Sequence, residues 1–352
     1  MNHPVAFDNI EKIVIFRALF LGDLFFTLPA FRALRERFPN AEITLIGLPW
    51  AKEFVSRFSH YLDRFLEFPG YPGIIEVDVN PTRTQEFLIQ ARDYGYDLAI
   101  QMQGNGTTSN GFVAELGARI SLGHAVNGDD RLTISIPFTE RPIKNEILRW
   151  LDLVSLLGAH STPDLEFPIY PHERARAEEL IRAALYNNGP IVGMHMGAKE
   201  DIRRWPAQRF GELAKILVKL FDATIVLTGT SQEIGLSKEV EAAVGSNVVN
   251  LIGKTDLGTF AAVVSSMDLL VTNDTGASHI AAATSTPSVV LFGPTTPEQF
   301  GPINQDLHKA VKAYEHVQSY SGSPLWELPV EPVLDACIYM LQNYYVKPST
   351  AF

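Results

Sequence analysis

The chain has 352 residues, enough for two domains of ordinary size, and its 46% apolar and 20% charged residues are typical of a globular protein. Its formal net charge of −11 argues against a general nucleic-acid binder, which needs a basic surface. The single cysteine, Cys337, excludes a disulfide framework or a cysteine-based zinc site within one chain, and it fits a small buried side chain in a reducing cytoplasm.

The beginning of the chain predicts neither a signal peptide nor a membrane span. The first residues, MNHPVAFDNIEK, are mixed and polar. The most apolar stretch, 13–31, contains an arginine, an aspartate, a glycine and a proline, which makes it a poor membrane span. We therefore expect a cytoplasmic protein without a transmembrane segment.

The first half of the chain predicts the start of a doubly wound α/β domain. KIVIFR at 12–17 is a β-branched run suited to a buried parallel strand, and ALFLGD follows it as a loop. TLPAFRALRERF at 27–38 has helical periodicity, with Pro29 suited to the first turn. A second strand is expected at 43–47, and this strand–helix–strand unit is typical of nucleotide-binding folds.

Further along, a strand is expected at 97–102 and a helix at 145–157, and the proline-containing stretch 161–172 is predicted to be the linker between two domains. The second half alternates continuous apolar strands with helices, which predicts a parallel sheet covered on both faces. Its expected strands are 191–195, 224–228, 248–252, 269–272 and 289–292, and its expected helices are 207–220, 231–244, 257–266, 276–285 and 331–345.

The strongest candidate site lies in DLLVTNDTGASHIAAATSTPSVVLFGP at 268–294. A buried strand ends near Asp274, and Thr275 and Gly276 open a helix whose free N–H groups and dipole favour an anion. His279 lies one turn after Thr275 on the same helical face. The alternative is that Asp274 or Thr275 only caps the helix and that His279 packs on the sheet.

Two further segments, one basic and one containing an acidic residue, complete the candidate donor site. The loop MHMGAKEDIRRWP contains Gly197 and three cations, Lys199, Arg203 and Arg204, which can neutralise a departing diphosphate. The alternative is a solvated basic loop. In TGTSQE, Glu233 is placed to bind ribose hydroxyls, as acidic residues do in dinucleotide folds.

The first loop contains a candidate base. Gly22 permits a tight turn, and Asp23 would follow the first strand at the carboxyl edge of the sheet, where a carboxylate can take a proton from a hydroxyl. The alternative is a carboxylate that only stabilises a helix N-terminus. No metal site is expected, since the adjacent pair Asp129 and Asp130 lies in a polar loop and is predicted to be solvated.

Three segments together resemble glycosyltransferase family 9, which contains the ADP-heptose:lipopolysaccharide heptosyltransferases. They are LGDLFFTLPAFRALRERFPNAEITLIG, HMGAKEDIRRWPAQRFGELAKIL and NDTGASHIAAATSTPSVVLFGPTTP, and the resemblance covers nearly the whole chain in matching order. It implies a GT-B fold, with two Rossmann-like domains facing across a cleft. The implied domains are an N-terminal acceptor-side domain, 1–165, a C-terminal nucleotide-sugar-binding domain, 172–328, and a C-terminal helix, 329–352, that can pack back on the first domain.

The resemblance also implies an inverting transfer, without metal or cofactor, from a nucleotide-diphosphate sugar to a glycan or glycolipid hydroxyl, at or near the inner face of the cytoplasmic membrane. Asp23 matches the base of the family, and Arg203 matches a basic residue on the donor phosphates. Glu233 matches the acidic residue on the donor ribose. Four further residues match the D-[TS]-G-x-x-H donor motif, namely Asp274, Thr275, Gly276 and His279.

Two segments depart from the family pattern. Leu19-Phe20-Leu21 stands where small hydroxyl residues are common, and Met196-Gly197-Ala198 stands where heptosyltransferases offer threonine hydroxyls. Both departures remove polar contacts near the donor or the acceptor and bear on sugar specificity. The alternatives to a transferase are a catalytically silent nucleotide-sugar binding module and a UDP-sugar epimerase or hydrolase of the same fold.

Overall fold

The computed structural model divides the chain into two compact units, residues 1–163 and 164–352. The boundary between them falls within the stretch predicted to be a linker. The part of the final segment from 346 onward lies outside the described residues. The described ranges are 7, 9–126, 128–139, 143–185, 189–319 and 321–345.

The first unit is built on one parallel sheet. Its strands are β1 (Lys12–Phe16), β2 (Glu42–Gly47), β3 (Arg64–Glu67), β4 (Leu98–Gln101), β5 (Ile120–Ala125) and β6 (Ile134–Pro137). Its described helices are α1 (Leu21–Arg37), α2 (Ala51–Arg57), α3 (Pro81–Tyr94), α4 (Ser109–Glu115) and α5 (Glu146–Ser155). The strands are ordered β3-β2-β1-β4-β5-β6, so the direction in which strands are added reverses between β1 and β4.

The second unit repeats this plan. Its strands are β7 (Ile191–His195), β8 (Thr224–Thr228), β9 (Val248–Asn250), β10 (Leu269–Asn273), β11 (Ser288–Phe292) and β12 (His308–Lys312). Its described α-helices are α6 (Pro171–Leu180), α7 (Arg182–Leu185), α8 (Ala207–Phe221), α9 (Ser237–Val244), α10 (Leu257–Val264), α11 (Gly276–Ala283), α12 (Pro297–Phe300), α13 (Ala313–His316), α14 (Pro324–Glu327) and α15 (Val330–Tyr344). The order β12-β11-β10-β7-β8-β9 reverses between β7 and β10.

Both sheets therefore have the strand order of a Rossmann fold, whose ligands bind where the strand order reverses. The α/β fold class predicted from the sequence is confirmed, with two parallel sheets. The central strands β1, β7 and β10 are buried along nearly their whole length, as expected for parallel strands covered on both faces.

The prediction for the first loop was wrong. Helix α1 begins at Leu21, six residues before the predicted start, so Gly22 and Asp23 lie in its first turn and Pro29 lies in its interior. The N-cap residue Phe20 makes no side-chain cap hydrogen bond, and glycine and proline both disfavour a helix, so local sequence gives little sign of this turn. Across the described ranges, no helix has the length and apolarity needed to cross a membrane.

Each unit has its own apolar core. In the first, the rings of Phe16, Phe68 and Phe112 contact one another, with centroids 4.6–5.1 Å apart. In the second, α15 packs on α8 and on β10, β11 and β12. Cys337 of α15 is fully buried in that core, as its predicted role as a small apolar side chain requires.

Candidate active site

The residues predicted to bind the donor follow two neighbouring strands of the second sheet. Gly197, Lys199, Arg203 and Arg204 lie in the loop after β7, and Asp274 follows β10. β7 and β10 pair in parallel, so their carboxyl ends meet at one edge of the sheet, at the point where the strand order reverses. The fold thus collects at one place residues that are some 70 positions apart in sequence.

A buried asparagine holds the β7 loop to the end of β10. Asn273 Oδ1 accepts a hydrogen bond from Trp205 N at 3.0 Å, and Asn273 Nδ2 donates to Met196 O at 2.9 Å and to Gly197 O at 3.2 Å. One side chain therefore contacts both ends of the loop. Since Asn273 is fully buried, loss of these bonds would leave several buried polar groups unpaired.

Arg203 and Asp274 form an ion pair within this edge. Arg203 Nη2 lies 2.7 Å from Asp274 Oδ2 and 2.6 Å from Asp274 O, and Thr295 Oγ1 donates to the same carboxylate at 2.6 Å. Burial raises the pKa of Asp274 above its usual value, and the positive charge of Arg203 offsets only part of this increase. The Arg203 side chain stays 30% exposed, so the pairing fixes the guanidinium without covering it.

Helix α11 begins directly beside this pair. Thr275 is its N-cap, with extended backbone, and its hydroxyl accepts a hydrogen bond from Ala277 N at 3.3 Å. Gly276 is the first helical residue, and both Thr275 and Gly276 remain partly exposed. His279 is buried. Burial lowers the pKa of His308 to about 4, and the charge of His279 acts in the same direction.

Glu233 lies against the first part of the β7 loop. A Cβ atom on Gly197 would stand only 1.7 Å from Glu233 Oε1, so the carboxylate can occupy this position only because residue 197 is glycine. Glu233 Oε2 accepts a hydrogen bond from Thr230 N at 2.7 Å. Gly197 follows β7 and Glu233 follows β8, and these two strands are neighbours in the sheet, so the two residues meet at the same edge.

The other two cations of the loop have different surroundings. Arg204 donates from Nε to Ala198 O at 2.9 Å and from Nη1 to Asp201 Oδ1 at 2.5 Å, so its guanidinium is used within the loop itself. Lys199 is exposed. The indole of Trp326, in α14, also donates to Asp201 O at 3.1 Å, which fastens the loop from the C-terminal side.

In the first unit, Asp23 follows β1 at the equivalent reversal of strand order. Gly22 precedes it in the first turn of α1, and the Asp23 side chain is 36% exposed. Arg17, at the end of β1, donates to Asp23 O from both Nε, at 3.1 Å, and Nη2, at 2.8 Å. A carboxylate in a first turn fits both readings of the sequence, a base and a helix-stabilising charge.

The prediction that the acidic pair of 129 and 130 is solvated was wrong for Asp129. Its carboxylate accepts hydrogen bonds from Asn110 Nδ2 at 2.8 Å and Arg131 Nε at 2.7 Å. The bond from Arg131 is the main cause of a pKa well below the usual range for Asp129. Among the described residues, no group of three or more His, Cys, Asp or Glu side chains is arranged to hold a metal ion.

Sequence reasoning missed the two side chains that organise these edges, Asn273 and Arg17. Both stand at or just after the end of a buried strand, where a polar residue interrupts an apolar run. That interruption was the only available sign, because the groups that they bind lie up to 85 residues away.

Comparison with known proteins supports the assignment of this geometry to a family. The model of Glycosyltransferase family 9 (heptosyltransferase) matches residues 87–322, more than half of the chain. The chain is 25% identical, over 309 residues, to lipooligosaccharide heptosyltransferase 2 of Haemophilus influenzae, and the match covers 83% of this chain and 86% of that protein.

Two solved structures show the same fold. The family 9 glycosyltransferase of Veillonella parvula is 20% identical, with a TM-score of 0.78, and the match covers 95% of this chain and 98% of that one. Escherichia coli ADP-heptose LPS heptosyltransferase II is 20% identical, with a TM-score of 0.73, over 96% of this chain and 100% of that one. The chain has the GT-B fold that the sequence resemblance implied, and it is a glycosyltransferase that belongs to family 9.

Proposed function

We propose that this protein transfers heptose from ADP-heptose to a hydroxyl of the lipopolysaccharide core, with inversion and without a metal ion. The names of the similar proteins support the choice of sugar and acceptor, since the match to lipooligosaccharide heptosyltransferase 2 covers most of both chains. A glycolipid acceptor would place the reaction at a lipid surface, on the cytoplasmic side of the membrane where nucleotide sugars are available.

The proposal is supported mainly by the position of Arg203, which binds Asp274 directly before the start of α11. Asp274 holds the guanidinium beside Thr275 and Gly276, so an arginine and a helix N-terminus favour an anion at the same place. Asp274 binds Nη2 of Arg203, and the Arg203 side chain as a whole stays 30% exposed. The exposed part of the guanidinium can therefore approach a diphosphate oxygen.

The chemistry of the transfer assigns complementary roles to the two units. As the glycosidic bond to ADP breaks, negative charge grows on the diphosphate, and Arg203 with the dipole of α11 stabilises it. The carboxylate of Asp23, which is 36% exposed, accepts the proton of the attacking hydroxyl. Direct attack on the anomeric carbon opposite the departing ADP inverts the configuration.

Glu233 and Gly197 complete the proposed donor site. Their contact places a carboxylate oxygen at the end of β8, where it can accept hydrogen bonds from ribose hydroxyls. Lys199 adds positive charge at the exposed side of the loop. Arg204 and His279 act indirectly in this proposal, Arg204 by shaping the loop and His279 as a buried side chain of α11 that helps to hold the helix in place.

Transfer itself can be measured with ADP-heptose and a truncated lipopolysaccharide core, in buffer containing EDTA. We expect the mass of the acceptor to increase by one heptose residue and ADP to be released in equal amount, because Arg203 and the α11 dipole take the place of a cation. ADP release without acceptor modification would indicate a hydrolase. Dependence of turnover on added Mg²⁺ or Mn²⁺ would exclude the metal-free part of the proposal.

The position of the donor can be tested with Gly276→Val. A branched side chain on the first residue of α11 should prevent close approach of the diphosphate and weaken ADP binding by about 10- to 100-fold, the effect of losing a charged hydrogen bond. Calorimetry with ADP measures this directly. Gly235→Val is the matched control, because a Cβ atom added at that glycine meets no atom within 4 Å. Equal ADP affinity in both variants would show that the site is misplaced.

The role of Asp23 can be tested with Asp23→Asn. Loss of a positioned base should lower kcat by about 10²- to 10⁴-fold, and ADP affinity should stay unchanged because the proposed donor site lies in the second unit. Steady-state kinetics and calorimetry on the same preparation separate the two effects.

The rival role for Asp23 predicts a different pattern. A carboxylate that only stabilises the first turn of α1 would contribute about 0.3–1 kcal/mol to stability and little to turnover. Glu53→Gln is the matched control, since Glu53 is a first-turn carboxylate of α2. If Asp23→Asn behaves like Glu53→Gln, with a small loss of stability and normal turnover, Asp23 is not the base.

A further inference from the structure

Arg17 is a buried cation that no part of the transfer reaction described so far uses. It is only 2% exposed, yet its guanidinium contacts three segments of the first unit. Nε and Nη2 donate to Asp23 O in α1, Nη1 donates to Met102 O after β4, and Cζ lies 4.8 Å from the ring centroid of Trp150 in α5. Arg17 N also donates to Ile46 O at 2.9 Å, which continues the pairing of β1 with β2.

Burying a cation is costly, so this arrangement needs compensation. Burial lowers the pKa of Arg17, while the charges of Asp23 and Glu146 act in the opposite direction. An arginine nonetheless remains protonated in a protein. Its planar fork can bind two carbonyl groups in fixed directions, which a lysine cannot do. The guanidinium thus connects the ends of β1 and β4 to the first turn of α1.

The contact with Asp23 is made mainly to its backbone. Two N–H groups bind the carbonyl oxygen at 2.8 and 3.1 Å, whereas the nearest carboxylate oxygen, Oδ1, lies 3.5 Å from Nη2. The backbone of Asp23 is therefore held firmly, and its carboxylate is left 36% exposed and able to accept a proton. A side chain that had to neutralise Asp23 would bind the carboxylate instead.

We propose that Arg17 is the positioning residue of the catalytic base, fixing the first turn of α1 so that the Asp23 carboxylate stands where the acceptor hydroxyl arrives. This inference rests on the proposed function, since it requires Asp23 to be the base. The two bonds to Asp23 O fix the first turn of a helix that begins at Leu21 without a capping side chain.

Other titratable groups near Arg17 do not duplicate this role. Glu146 lies on α5 and pairs with Arg149 at 3.3 Å. His124 of β5 packs edge-on against Trp150 at 5.2 Å, and burial lowers its pKa to about 4, so it is neutral at physiological pH. Among these groups, only Arg17 has a described hydrogen bond to Asp23.

A double-mutant cycle tests the inference, with Arg17→Lys and Arg17→Ala each made in the wild-type and Asp23→Asn backgrounds. In the wild-type background we expect kcat to fall by about 10²-fold for Arg17→Ala, as a small displacement of a catalytic group does, and less for Arg17→Lys. ADP affinity and the KM for the acceptor should not change. In the Asp23→Asn background the same substitutions should cause no further loss.

Methylguanidinium provides a second readout, because it fits the space left by Arg17→Ala and can bind the same two carbonyl groups. We expect it to restore part of kcat in Arg17→Ala and none in the double variant. Arg149→Ala is the matched control, a comparably buried arginine with no described contact to Asp23. It should lower stability and leave kcat unchanged.

The outcomes separate this inference from the proposed function. Normal kcat in Asp23→Asn would overturn the base assignment, and with it the role of Arg17. A large loss in Asp23→Asn together with unchanged kcat in both Arg17 variants would overturn the Arg17 inference alone. So would an equal further loss in the Asp23→Asn background, or an equal loss in Arg149→Ala. Arg17→Lys keeps the test decisive if Arg17→Ala does not fold, since it retains the buried charge.

Discussion

The reversal of strand order in each sheet is the constraint on which the rest of the structure depends. Where β1 and β4, or β7 and β10, lie side by side, their loops leave in opposite directions and expose the carboxyl edge between them. Asp23 follows β1, and the loop bearing Arg203 follows β7 opposite Asp274 after β10. The strand order of each sheet therefore determines where both sets of candidate residues lie.

A buried polar side chain then fixes each edge. Asn273 binds both ends of the loop after β7, and Arg17 binds the first turn of α1 and the chain after β4. Each contributes several hydrogen bonds inside a region that water does not reach, so the bonds offset the cost of burial and leaving them unmade would be expensive. Preorganised groups of this kind suit a reaction in which charge develops at fixed positions.

Sequence patterns were informative where one element is buried on both faces and bounded by clear breaks. The predicted bounds of β7 and β8 match the structure at both ends, and α11 begins where Gly276 follows a strand. The early start of α1 was not predictable, because its N-cap residue, Phe20, makes no side-chain cap bond and Gly22 and Pro29 disfavour a helix locally. Asp129 likewise looked solvated because one partner, Asn110, is 19 positions away in sequence and becomes a neighbour only through packing, although Arg131 is two positions away.

The proposed transfer is a single displacement, with Asp23 as the base and Arg203 on the departing diphosphate. The anomeric configuration of the transferred sugar tests this mechanism most directly, and it can be read from the one-bond C1–H1 coupling in NMR spectra of the donor and of the purified product. We expect opposite configurations, because the hydroxyl attacks opposite the leaving ADP. Retention of the donor configuration would require a different mechanism and would contradict the role assigned to Asp23.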